Sequence, residues 1–234
     1  MSRLPIGPAP GRQRGPRHLW RWGLLLVIAG LLVARWFFVE LVVVRGNTLA
    51  PTALDGDVLL VVRRAEPALG DVILLEHEGR EVLRRVLALP GQMVGADEGV
   101  LTIDDLPLAT RVVGTFAYRE ASDGDRSRRQ QHFVESLPDG RRHHVLGDHA
   151  GAARPWKFEV PRIEVPPGFL FVLCDNRRTC PDDDLTGLVP LEWSQGVARW
   201  LLRRGDARES AVEQAPFYGA WEWISSRPES SGVK

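Results

Sequence analysis

Lysine is nearly missing from this chain. Of its 30 basic residues, only Lys157 and Lys234 are lysines and all others are arginines. An amine that could shed its proton near neutral pH is therefore scarce, because a guanidinium stays protonated in proteins. Cysteine is equally sparse. Cys174 and Cys180 are the only two, which excludes a disulfide-rich scaffold and a four-cysteine zinc site. His143, His144 and His149 lie close in sequence, but no cysteine or paired carboxylate joins them at ligand spacing. They are read as surface histidines, and no metal or cofactor is expected. The formal net charge is zero, so nothing points to nucleic acid. Between residues 40 and 205 no sustained helical period appears, which leaves β structure.

What charge there is sits unevenly. Residues 1–18 are rich in Pro, Gly and Arg and read as a disordered tail. Arg3, Arg12, Arg14, Arg17 and Arg21 meet no acid in that region. The segment 19–39 is apolar except for Arg21 and Arg35, with Trp20, Trp22 and Trp36 near its ends. It reads as a transmembrane anchor with interfacial tryptophans. The basic tail would then lie in the cytoplasm and the remainder outside, with membrane lipid as a partner. A cleaved leader is the competing reading, but no small-x-small site precedes the aromatic cluster.

Beyond the anchor, short β-branched runs are bounded by turns: 41–44, 58–62, 72–75, 82–89, 99–103, 169–173 and 197–202. Residues 76–80 read as a Gly-containing hairpin loop, and Asp104-Asp105 as a tight turn. Together these predict a mainly β, antiparallel domain over 40–204. Residues 109–165 are less regular and read as an insertion, with Arg119 to Arg129 as a solvated charged loop. The polar segment 205–234 carries Phe217, Tyr218, Trp221 and Trp223. Those aromatics are expected to pack back on the domain rather than lie on a bilayer.

Val44 to Asp57 is the richest stretch. Gly46-Asn47 predicts a tight turn, Thr48 presents a hydroxyl on it, Pro51 stiffens it, and Gly56-Asp57 leads into the next strand. This stretch resembles the nucleophile motif of type I signal peptidases, G-x-S-M-x-P-T followed by G-D. Gly46, Pro51, Thr52, Gly56 and Asp57 match. Thr48 stands at the catalytic serine and Leu49 at the methionine. The likeness continues through Gly70-Asp71, Leu83 to Gly91, and Asp175-Asn176-Arg177 with Gly187 to Pro190. It spans residues 20–202 in motif order. It implies a membrane-anchored β domain with a smaller inserted β subdomain, a peptide or preprotein partner, and a serine–lysine endopeptidase mechanism.

Two positions depart from that mechanism. Arg84 occupies the place of the general-base lysine, with Arg85 matching the family's arginine. Neutralising a guanidinium at pH 7 costs on the order of 7 kcal/mol, at ~1.36 kcal/mol per unit over ~5 units. Thr48 can be a nucleophile, though its methyl group restricts χ1. In the third motif, G-D-N-R-x-x-S-x-D-S-R, Cys180 replaces the serine that orients the lysine. Asp184 replaces an arginine that would pair with Asp182. Cys174 and Cys180 are open to three readings: a disulfide, a substitute nucleophile at Cys180, or a zinc site. From the Arg84 substitution, the expected function is a membrane-anchored family member that binds exported or membrane-proximal peptides with impaired cleavage. The alternative is an active signal peptidase that removes leader peptides.

Overall fold

The structure is a computed structural model, and it describes residues 19–97, 100–120, 126–147, 160–205 and 222–223. Side chains at 19, 31–37, 97, 126 and 222–223 are outside that description. So are the tail 1–18, most of the segment 205–234, His149 and both lysines.

The chain divides into Met1–Phe38 and Val39–Lys234. The first unit contains α1, Leu19–Phe38. The expected membrane anchor is overturned here: among the described residues, no helix is long and apolar enough to cross a membrane. Arg21 and Arg35 bound an uncharged stretch, Trp22 to Ala34, that rises about 20 Å against ~30 Å of hydrocarbon. The single-pass inner-membrane topology and the lipid partnership both rested on that span.

The second unit is β throughout. Its strands are β1 (Val39–Val43), β2 (Val58–Arg63), β3 (Val72–His77), β4 (Arg80–Ala88), β5 (Met93–Asp97), β6 (Val100–Ile103), β7 (Leu106–Pro107), β8 (Ala109–Glu120), β9 (Arg126–Ser136), β10 (Arg142–Gly147), β11 (Val160–Glu164), β12 (Phe169–Leu173), β13 (Gly187–Pro190), β14 (Ser194–Arg203) and β15 (Glu222–Trp223). The main sheet runs β1-β2-β14-β3-β4-β12-β13, with β15 on β14. A four-stranded sheet, β11-β5-β6-β7, and a three-stranded sheet, β10-β9-β8, complete the domain. All these strand pairs are antiparallel. The antiparallel β domain expected from the sequence is thus present, without the transmembrane part of that expectation.

The β3–β4 hairpin is tighter than the sequence suggested. Glu76 pairs with Glu81 and His77 with Arg80, so the loop shrinks to Glu78-Gly79. Both have positive φ, 52° and 73°, the conformation that follows strand twist through a two-residue turn. Asp104 and Asp105 repeat it with φ of 51° and 64°. Apolar side chains from β2, β3 and β14 meet the 44–54 turn region in one core cluster containing Leu49, Ala53, Leu59, Leu74 and Leu83. On the other face of β3 and β4, Ile73 and Val86 pack with Val172, Leu185 and Val197.

The three-stranded sheet corrects two expectations. Arg119 and Glu120 pair with Ser127 and Arg126 at the end of a long β8–β9 hairpin, so the charged stretch is largely strand rather than loop. Nor are His143 and His144 on the surface. His143 is buried and His144 half-buried, because alternate residues of β10 face inward against β9.

Candidate active site

The turn carrying Thr48 is tied down at both ends. The Val44 amide donates to the Asp57 carbonyl at 2.8 Å and Gly56 N donates to the Val44 carbonyl at 3.0 Å. The Asp57 carboxylate accepts from Leu54 N at 2.9 Å and from Gly205 N at 2.7 Å. Gly46, at φ 75°, donates its N–H to Asp55 Oδ1 at 2.7 Å, and Asp55 N donates to Asn47 Oδ1 at 3.1 Å. A Cβ at Gly56, whose φ is 81°, would press within 3.3 Å of Gly205. Leu49, Ala50, Ala53 and Leu54 are buried beneath the turn, whereas Thr48 is half-buried. The sequence therefore anchors the flanks and leaves one hydroxyl near solvent.

The third motif grips this turn. Asn176 N donates to the Thr48 carbonyl at 2.9 Å, and Asn176 Nδ2 donates to the Asn47 carbonyl at 3.1 Å. Asp175 is fully buried. It accepts from Arg85 Nε and Nη2 at 2.7 Å each and from the Thr52 hydroxyl at 2.5 Å. Burial, the largest influence, would raise the Asp175 pKa, but the Arg85 charge and hydrogen bonds, with His143 and Thr52, together hold the carboxyl below its ordinary range. Arg85 Nη1 donates to the Gly70 carbonyl at 2.7 Å, and the Asp71 backbone bonds to Val86. The Gly70-Asp71 motif is thus the brace beneath β4.

Arg177 extends the grip into the three-stranded sheet. Its Nη2 lies 2.8 Å from Glu135 Oε2, which is also 3.0 Å from His143 Nε2. Tyr118 Oη accepts from Asn176 Nδ2 at 3.0 Å and from Gln130 Nε2 at 2.9 Å. Ala50 and Leu54 share a core with Phe116, Tyr118 and Leu146. Sequence reasoning missed this docking; Tyr118, Glu135 and His143 carry no motif signal.

Arg84 is placed differently. Adjacent strand residues point to opposite faces, and Arg84 leaves the Arg85 network. Its Nε donates to Thr186 Oγ1 at 3.2 Å and its Nη1 to the Leu83 carbonyl at 3.0 Å. Asp183 Oδ1 lies 3.9 Å from Nη2. Burial lowers the Arg84 pKa, with Asp183 partly offsetting it. Among the described residues, no hydrogen bond joins the Thr48 hydroxyl to Arg84. Asp184 does not pair within its own loop; it meets Arg80 at 2.5 Å and lies 3.5 Å from His77. Cys174 and Cys180 form a disulfide with Cα atoms 5.4 Å apart. Both sulfurs are thereby occupied, which removes the substitute-nucleophile and zinc readings. Asp183 stands at the second serine of the third motif without matching it, Thr186 lies beyond that motif, and no spacing signal flagged either.

A half-buried Thr48 hydroxyl on a braced turn, the buried Arg84 on β4, and the buried Asp175–Arg85 pair that also bonds Thr52 of that turn are the elements of the candidate site on this β scaffold. The family description "Signal peptidase, peptidase S26" matches residues 19–202, and the chain belongs to that family. A protein named signal peptidase I from Streptococcus pneumoniae serotype 4 is 33% identical over 192 residues, covering 79% of this chain and 92% of that relative. Its counterpart from strain R6 is 33% identical over 197 residues, covering 80% and 95%. A probable signal peptidase I-1 from Synechocystis is 24% identical over 181 residues, covering 71% and 72%. Membership supports an exported or preprotein partner. It also corrects the expected membrane-anchored binder with impaired cleavage, and favours the alternative of a signal peptidase-like protein. The match covers 92% and 95% of two relatives named signal peptidase I, and among the described residues no helix is long and apolar enough to cross a membrane.

Proposed function

We propose that this protein is an active endopeptidase of the signal peptidase type that cleaves leader segments from preproteins. What supports this most is the Thr48 turn, held to Asn176 through its own carbonyl at 2.9 Å with the surrounding frame intact. A peptide would lie in extended form along the exposed edge formed by β1, recognised by main-chain hydrogen bonds. Thr48 Oγ1 attacks the scissile carbonyl, the C–N bond breaks, and the departing amine takes a proton from solvent water, which regenerates hydroxide. Water then hydrolyses the Thr48 ester and frees the enzyme. Arg84 supplies a fixed positive charge that favours the alkoxide and the tetrahedral oxyanion. It accepts no proton, so the Thr48 proton leaves to solvent hydroxide.

That division of labour has a kinetic signature. The rate of the chemical step rises about tenfold per pH unit, because the alkoxide fraction does. The test is cleavage of a purified preprotein between pH 6 and 10 by the native protein and by Thr48→Ala. Cleavage that climbs with pH and is lost in the variant is expected. Absence of cleavage across the range, or equal cleavage by Thr48→Ala, defeats the reading.

A further inference from the structure

Arg84 is buried, yet its charge has few partners. Among the described residues, its single polar side-chain contact at hydrogen-bond distance is the Thr186 hydroxyl, 3.2 Å from Nε. That hydroxyl in turn donates to Asp183 Oδ1 at 3.1 Å. Asp183 also accepts from the Leu185 amide at 3.2 Å and faces Arg80 at 3.6 Å. The turn carrying both residues is closed by Thr186 N donating to the Asp183 carbonyl at 3.0 Å. It runs directly into β13, which pairs with β12, which pairs with β4, the strand bearing Arg84. The acceptor and the guanidinium are thus fixed to one sheet.

The position at which the resembling motif supplies an orienting hydroxyl is Cys180, and its sulfur is taken up in the disulfide. A hydroxyl that must accept from one neighbour and donate to another can be threonine or serine but not valine. An Nε–H exists on arginine and has no counterpart on lysine. We propose that Thr186 and Asp183 are positioning residues that act through Arg84, aiming its charge in the place of the hydroxyl absent at Cys180. This rests on the peptidase reading above.

The test uses the full chain with Thr186→Val, Thr186→Ser and Asp183→Asn, each alone and combined with Arg84→Lys. Steady-state cleavage of a preprotein and the Arg84 Nε–H resonance are both read. In the native background Thr186→Val is expected to lower kcat about tenfold with KM changed less than about twofold, the scale of one charge-assisted hydrogen bond. Asp183→Asn is expected to follow it, and Thr186→Ser to restore most of the rate. Combined with Arg84→Lys, Thr186→Val should change kcat no further than about twofold. An equal loss in both backgrounds would mean that Thr186 merely supports the fold, and the inference would fall. If no variant and no native protein cleaves, the peptidase reading fails, and the resonance decides the contact alone. A signal shifted in Thr186→Val and kept in Thr186→Ser upholds it; an unmoved signal overturns it.

Discussion

Arg84 and Arg85 are chain neighbours, almost equally buried, and held in opposite ways. Arg85 is well partnered: two bonds to Asp175, one to Gly70 and one to Thr52. Arg84 has one hydroxyl, one neighbouring carbonyl and a carboxylate 3.9 Å away. A buried charge is tolerated when its hydrogen bonds are met and is costly when they are not. On this strand, one face spends its arginine on cohesion, joining the Thr48 turn to the third motif. The other face keeps a charge only loosely matched, as sites that act on a substrate do.

The sharpest way to break this comparison is to remove Asp175. Asp175→Ala leaves Arg85 buried without its counter-charge and should cost about 3–5 kcal/mol. Urea unfolding at pH 7 measures it, and a loss below ~1 kcal/mol would show that Arg85 is not the cohesive member of the pair.

The cohesive side reaches into the three-stranded sheet, where His132 Nε2 and His144 Nδ1 meet at 2.7 Å. Burial brings both pKa values down from 6.5 to about 4. A folded imidazole with a depressed pKa stays neutral while the unfolded one takes up a proton. Stability is therefore full above pH 6.5 and falls on acidification until about pH 4, where both states are protonated. The slope is on the order of 1.4 kcal/mol per pH unit for each histidine. Denaturation midpoints at pH 7 and pH 5 should differ accordingly, and His132→Gln with His144→Gln should flatten that difference.

A smaller effect should come from the Cys174–Cys180 link, which encloses Asp175, Asn176 and Arg177. Loop-closure entropy for so short a ring is worth about 2 kcal/mol. Reduction with dithiothreitol should lower stability by that amount, and unchanged unfolding after complete reduction would count against it.

Much of the cohesive side was legible from the chain itself. Thr48, Arg84, Arg85 and Asp175-Asn176-Arg177 stand in motif order, and the β runs alternate clearly. What escaped notice depends on contacts between distant segments. Thr186 meets Arg84 from 102 residues away, and Tyr118 meets Asn176 from 58. His143 and His144 were misjudged because no β-branched run marks β10, which hid the strand alternation that turns His143 inward. Asp184 was read as a lost pairing, whereas it has exchanged a partner in its own loop for Arg80 on β4.

The weakest expected effect on stability, and the most telling one, lies on the other face. Arg84→Lys removes the Nε contact to Thr186 and the Nη1 contact to the Leu83 carbonyl but keeps the charge, so unfolding should shift by only about 1 kcal/mol. Its effect on catalysis should be far larger. A buried amine, unlike a guanidinium, can fall toward neutrality and take a proton. The steep alkaline climb of the native protein should then flatten into a plateau beginning closer to pH 8, with the gain largest at low pH. Combined with Thr48→Ser, which frees χ1, the rate at pH 7 should rise by about a hundredfold, the scale of a positioned general base. If instead Arg84→Lys lowers the rate at every pH while leaving stability untouched, the fixed charge itself is what the chemistry requires. The loosely held arginine would then be the more specialised of the two.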